Sequence, residues 1–209
     1  MTKLLLIGGG GHCRAAIDVI EAAGLSIAGV LDRPEIGLSQ VLGHPVLGSD
    51  DDLPALVACH GAALVTIGQI KTPVPRIRAF EAAKRAGAKM RRIVSPRAYV
   101  SCHASIGEGT LVMHGAMINA AAVVGRNVIV NSRALIEHDA KVGDHCHVST
   151  GALINGEVSI GAGCFIGSGA VLKNGITIGD ASVIGAGCVI REDVPEGSFV
   201  PYSHDRAMP

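Results

Sequence analysis

The chain has 209 residues, 48% of them hydrophobic, with equal numbers of acidic and basic side chains and a formal net charge of zero. That balance suits one or two globular domains, and with no basic patch carrying interleaved aromatics it argues against a nucleic-acid or membrane-surface partner. Twenty-eight glycines stand against three Phe, two Tyr and no Trp, so stacked aliphatic side chains rather than aromatic anchors must fill the interior.

Taken in order, Lys3 to Ile7 reads as a short apolar strand running into Gly8-Gly9-Gly10-Gly11-His12, followed by an alanine-rich amphipathic helix from Arg14 to Ala23. The apolar run is too short for a signal peptide, so a cytoplasmic location is expected. A second strand, Ser26 to Leu31, ends in Asp32-Arg33-Pro34 and completes a Rossmann-like βαβ unit. Its first turn aims backbone N–H groups outward at a helix N-terminus, where a phosphate is favoured. The dinucleotide fingerprint GxGxxG is incomplete, with Cys13 at the last glycine position, so a tight turn without a ligand stays open. Asp32 stands where an acid meets a ribose hydroxyl in dinucleotide sites, and it can equally accept from a nucleobase N–H. His12 is placed to donate to a pyrophosphate or simply to cap the loop. Cys13 in the fingerprint, and the lack of a second helical domain, set aside a nucleotide-dependent oxidoreductase.

Ser49 ahead of Asp50, Asp51 and Asp52 reads as the cap and acidic first turn of a short helix. Ala63 to Ile67 is a third strand ending at Gly68, Pro75 to Ala86 has helical spacing and stops at Gly87, and Lys89 to Val94 leads through Ser95-Pro96 into a different pattern. The expected organisation is an α/β domain over residues 1–95, a parallel β-helix over 96–197 and a tail over 198–209.

From Val100 to Ile190 every sixth residue is a branched aliphatic, sixteen positions without an exception. Helices and strands repeat at 3.6 and 2, so a period of six marks a hexapeptide β-helix with eighteen residues per coil. Four residues after each aliphatic the side chain is mostly small, as at Ala104, Ala134, Ala152 and Ala170. Directly after it come Gly107, Gly125, Gly143, Gly161 and Gly179, or Asn119, Asn131 and Asn155, types expected to supply the positive φ of sharp corners. Of six cysteines, Cys146, Cys164 and Cys188 fall in the small inward column; none forms a CxxC pair, and they read as buried apolar groups in a reducing compartment, with no metal site. The tail after Ser198 is placed to cover the last open coil.

Polar side chains crowd Asn131 to His147. His138 lies on a corner between Glu137 and Asp139, an arrangement suited to a general base whose tautomer an acid fixes, although a merely solvated histidine would look the same. Gly156, one coil further, occupies the equivalent corner, where its N–H could stabilise an oxyanion.

The glycine loop, Ser95-Pro96, the hexapeptide array and Ile136-Glu137-His138-Asp139 together resemble the left-handed β-helix acetyltransferases of the sialic acid O-acetyltransferase type. That group includes bacterial N-acetyltransferases of nucleotide-linked 4-amino-4,6-dideoxy sugars. The resemblance implies acetyl-CoA as co-substrate, no metal, and a homotrimer with active sites between neighbouring β-helices. It implies His138 as base with Asp139, or Glu137, supporting it; Asn131 lining the same site; and His147 and Gly156 contacting acetyl-CoA. Gly8, Gly9, Gly10, Gly11 and His12 would take the pyrophosphate, with Asp32 on the base, as in GDP-perosamine or a UDP-4-amino sugar. Arg33 replaces a second acid common in the UDP-sugar branch and leaves the base open. An O-acetyltransferase of a free sugar and a non-catalytic trimeric binding protein remain as rival readings.

Overall fold

A computed structural model describes residues 3–202, in which a helix-flanked sheet passes directly into a triangular stack of short strands. The sheet contains β1 (Leu4–Ile7), β2 (Ile27–Leu31), β3 (Gln40–Val41), β4 (His44–Gly48), β5 (Ala62–Val65) and β6 (Lys89–Met90) in the order β3-β4-β2-β1-β5-β6. All neighbours are parallel except β3, which pairs antiparallel with β4.

β1 is apolar throughout because both of its faces are covered, as parallel strands require. Leu4 and Leu6 pack against Ala16, Ile17 and Ile20 of α1 (Gly11–Ala22), while Leu5 and Ile7 face Leu53 and Val57 of α2 (Leu53–His60) and Phe80 of α3 (Val74–Arg85). α1 starts three residues earlier than its amphipathic pattern suggests, with Gly10 as N-cap, so His12 belongs to its first turn. Ser49 enters a 3-10 turn at Asp50–Asp52, its N–H held by Asp52 Oδ2 at 2.9 Å.

The remaining strands, each two residues long, stack as a left-handed prism with three flat faces. The first face begins with Ile93–Val94, already paired to Leu111–Val112, and ends with Phe199–Val200 on Val183–Ile184. The second face runs from Tyr99–Val100 to Val189–Ile190 and the third from Ser105–Ile106 to Thr177–Ile178. Of the sixteen inward aliphatics all but Val100 and Ile106 are buried, and Cys146, Cys164 and Cys188 fill the small column beside them. Each fully buried Leu or Ile contributes roughly 1.5–3 kcal/mol. The end coil is thus paired by Phe199–Val200; the tail from Ser203 onward lies outside the described residues.

The corners differ from the sequence expectation. Positive φ falls three residues after every aliphatic but the first and the last, as at Ala121 (60°), Asn127 (51°), Arg133 (58°), Asp139 (59°), His145 (62°) and Glu157 (63°), and not at the glycines directly after it. Those glycines answer a different constraint. One coil's backbone runs against the next there, so that a Cβ on Gly143 would lie 2.7 Å from Ala162 N and from Gly161 C.

Outward columns distinguish the faces. On the first, Ile93, Leu111, Ile129 and His147 are buried, Ile93 and Leu111 packing in one core with α1. On the second, Tyr99, Met117, Leu135, Leu153, Val171 and Val189 form an apolar ladder, and Tyr99, Met117, Leu153 and Val189 are exposed. The third carries Ser105, Val123, Lys141, Ser159 and Thr177.

The domains are locked by Arg76, 1% exposed. One guanidinium nitrogen donates to Gln69 Oε1 at 2.9 Å and towards the His145 and Cys146 carbonyls, and the other donates to the Asn127 carbonyl. Gln69 Nε2 in turn donates to the Gly163 carbonyl at 3.0 Å. No described helix is long and apolar enough to cross a membrane.

Two glycine substitutions separate close stacking from backbone strain. Gly143→Ala should lower stability by about 2–3 kcal/mol, because backbone must move to admit the methyl group. Gly169→Ala, at φ 66° but with open space around it, should lower it by about 1 kcal/mol. Equal melting temperatures for the two variants would contradict the stacking constraint.

Candidate functional site

The C-terminal ends of β1, β2 and β5 open into a cavity of about 950 Å³ lined by Gly8 to His12, Asp32, Arg33 and, from α3, Arg78 and Arg85. Ligands bind at this end of open parallel sheets. The loop passes so close to Asp32 that a Cβ on Gly9 would lie 2.8 Å from Asp32 Oδ2. Asp32 Oδ1 accepts the Arg33 N–H at 2.9 Å. No acid in the first turn of α1 and no side-chain cap engage its leading N–H groups, which leaves them to an anion.

His12 faces this cavity on one side and the β-helix on the other. Its Nε2 is buried without a partner among the described residues, and its ring centroid lies 6.2 Å from that of His147. Desolvation, with His147 and Arg76 nearby, lowers its pKa to about 3, so it is neutral. His147 is held at both nitrogens. Nδ1 donates to the Gln69 carbonyl at 2.8 Å, and Nε2 accepts from Asn131 Nδ2 at 3.2 Å, while Asn131 Oδ1 takes the Ser132 N–H at 2.7 Å. Burial lowers the His147 pKa to about 4.

The third group lies on another edge. His138 is exposed on the corner between the second and third faces, and its Nδ1 meets Asp139 Oδ2 at 2.9 Å. The left-handed backbone at Asp139 turns its carboxylate back beside the preceding ring. Glu137 points elsewhere: its Oε2 accepts from Asn119 Nδ2 at 2.9 Å and from the His138 N–H at 3.2 Å. Of the two flanking acids, Asp139 therefore holds the imidazole. With Nδ1–H directed at a carboxylate, Nε2 keeps its lone pair. That nitrogen overhangs Gly156, where a Cβ would lie 2.8 Å from it. The bond to Asp139, reinforced by the charges of Glu137 and Glu157, raises the His138 pKa. The Gly156 N–H has no backbone acceptor among the described residues.

Within one chain these groups do not converge. Asn131 lies on the edge between the first and second faces and His138 on the next edge, so Asn131 does not line the His138 corner of its own subunit. The polar crowding from Asn131 to His147 is spread around a whole coil. Asp144 pairs with Arg126 at 2.7 Å, and His145 Nδ1 meets Asn127 Nδ2 at 2.9 Å inside the domain seam. The sequence reading missed Arg76, Gln69 and the apolar ladder of the second face. The ladder could have been found by stepping in eighteens from Tyr99; nothing in the sequence marks Arg76 as buried.

Residues 3–74 match the PglD N-terminal domain, and residues 157–192 match the bacterial transferase hexapeptide (six repeats). Among solved structures, PerB from Caulobacter crescentus in complex with CoA and GDP-perosamine is 32% identical, with a TM-score of 0.90 over 99% of this chain and 97% of its own. Variants of that GDP-perosamine N-acetyltransferase with one histidine replaced by alanine or asparagine are also known with both ligands. The acetyltransferase domain of PglB from Neisseria gonorrhoeae FA1090 is 31% identical over 100% of both chains, TM-score 0.88, and has been solved with acetyl coenzyme A. WeeI from Acinetobacter baumannii AYE is 25% identical over 99% of both chains, TM-score 0.85. No curated protein sequence matches the chain.

The buried neutral histidines tie the seam to pH. The folded-state pKa of His147 lies below its unfolded value of 6.5, so the unfolded chain takes up the proton first, and stability present above pH 6.5 is lost as pH falls towards 4. The loss at that group reaches about 3 kcal/mol. Melting curves between pH 7 and 4 should show a steeper decline for the wild type than for His147→Gln; parallel declines would remove His147 as the source.

Proposed function

The chain belongs to the hexapeptide-repeat acetyltransferases that carry a PglD-type N-terminal domain, and we propose that it moves acetyl from acetyl-CoA to the C4 amine of a nucleotide-linked 4-amino-4,6-dideoxy sugar. The observation that carries this reading is the His138 ring, oriented by Asp139 with its free Nε2 over the bare Cα of Gly156. The acceptor's amine loses its proton to His138 Nε2 as its nitrogen attacks the thioester carbon. The Gly156 N–H stabilises the resulting oxyanion, and collapse of the tetrahedral intermediate expels the CoA thiolate, which recovers the proton. Asp139 keeps the imidazole in the required tautomer and stabilises the imidazolium.

The cavity at Gly8 to His12 takes the nucleotide pyrophosphate, with Asp32 and Arg33 towards the base. GDP-perosamine, present in the Caulobacter structure, is the acceptor favoured by the 32% identity and full-length coverage; a UDP-4-amino sugar is the alternative. The nucleotide cavity and His138 belong to separate parts of one chain, so a complete site takes the cavity, Asn131 and His147 of one subunit and the His138 edge of its neighbour. The apolar ladder of the second face supplies a surface for such a homotrimer, since monomeric proteins rarely leave so continuous a patch bare. His147 would touch the bound ligands only from behind Asn131, because its two nitrogens are already engaged. Unpaired cysteines, two of them one coil apart, suit a cytoplasmic enzyme.

Thiol release from acetyl-CoA, measured with GDP-, UDP- and TDP-linked 4-amino sugars, tests this reading. His138→Ala should lower turnover by about 10²–10⁴. Because the His138 pKa is raised and the base must be neutral, the acid limb of the wild-type rate profile should lie above the ordinary imidazole value. Asp139→Asn should move it to lower pH and slow the reaction. Near-full turnover in His138→Ala would end the assignment of the base.

A further inference from the structure

The corner occupied by His138 and Gly156 recurs one coil further at Asn174. A Cβ on Gly156 would meet His138 Nε2 at 2.8 Å and Asn174 Nδ2 at 3.3 Å. The two side chains thus lean over the same bare Cα from opposite coils, with their nitrogens at most about 6 Å apart, so that one atom can lie within hydrogen-bond reach of both.

Nothing in the fold requires asparagine at 174. The left-handed residue of that corner is the next one, Gly175, at φ 73°, so Asn174 is not there to relieve a turn. Asn174 is exposed, and its side chain makes none of the side-chain hydrogen bonds found among the described residues. Asn155, by contrast, spends its amide on the Leu172 carbonyl at 2.7 Å, and Asn119 gives its amide to Glu137. Asn174 therefore presents an unengaged donor directly across the Gly156 gap from the free lone pair of His138.

We propose that Asn174 is a catalytic residue whose Nδ2 donates to the thioester carbonyl oxygen of acetyl-CoA, forming with the Gly156 N–H the pocket for the developing oxyanion opposite the His138 base. The inference rests on the acetyl-transfer reading. In the step it serves, the acceptor nitrogen bonds to the thioester carbon and the carbonyl π electrons pass to oxygen, where the two donors receive them. The amine proton goes to His138 Nε2, and re-formation of the carbonyl breaks the carbon–sulfur bond. A donor aimed at charge that appears only in the transition state raises turnover and leaves ground-state binding nearly unchanged.

The test compares wild type, His138→Gln, Asn174→Ala, Asn174→Asp and Asn174→Gln in the thiol-release assay, with calorimetric binding of CoA and melting temperatures alongside. Asn174→Ala is expected to lower kcat about 10²-fold with melting temperature, CoA affinity and KM for the nucleotide sugar unchanged. Asn174→Asp should be at least as slow, because a carboxylate repels the oxyanion, and Asn174→Gln should regain part of the rate. A kcat within twofold of wild type for Asn174→Ala, or a loss seen only in the KM for acetyl-CoA, would overturn the proposal. If wild type turns over and His138→Gln does not while Asn174→Ala keeps its rate, Asn174 alone is misassigned. If wild type transfers no acetyl to any 4-amino sugar nucleotide, the underlying reading fails and the proposal with it.

Discussion

Each coil of the prism rests its backbone on the next, closely enough that a Cβ has no place at Gly125 or Gly143, and the spacing of the His138 edge follows from that contact. Strands pair at about 4.8 Å, so residues eighteen apart stand in vertical columns and a side chain from one coil reaches over the coil above. At Gly156 the column lacks a side chain, and His138 fills the vacated space from below. Turn and reach are settled by backbone stacking and the tautomer by Asp139, so an exposed imidazole still acquires a defined position.

The seam between the domains obeys a different rule. Among the described residues no carboxylate meets the buried Arg76 charge; carbonyl oxygens of Asn127, His145 and Cys146 and Gln69 Oε1 accept from its two terminal nitrogens, and Nε has no partner. Burial lowers its pKa to about 10, which still leaves it charged near neutrality. Removing the side chain would strand several buried acceptors at once, a larger penalty than the pair itself contributes. Gln69 is shared, since its carbonyl also takes the His147 Nδ1–H. The neutral His147, and through it Asn131, is therefore held by the same junction that docks the α/β domain on the prism.

These two constraints account for a division of labour. His138 stands on the corner between the second and third faces, while the Arg76 contacts at Asn127, His145 and Cys146 lie on the corner between the third and the first. The apolar second face borders the His138 corner and leaves Tyr99, Met117, Leu153 and Val189 exposed.

The period of six alone determined the rod, its eighteen-residue coil and the inward aliphatic column, because each stacked coil must place a branched side chain at the same three points. The glycine loop and Asp32 at the strand end were likewise legible, being local features of a βαβ turn, and so was His138 on its corner beside two acids. The tertiary structure decided what depends on neighbours distant in the chain. It assigned the imidazole to Asp139 rather than Glu137, because the left-handed turn falls three residues past the aliphatic and Glu137 is drawn to Asn119. It reassigned the glycines after each aliphatic from corner conformation to coil contact. It separated Asn131 and His147 from His138, since a six-residue step turns the chain onto the next face. The burial of Arg76 and the approach of Asn174 to Gly156 come from packing between residues far apart in sequence, and no local pattern of residues encodes that.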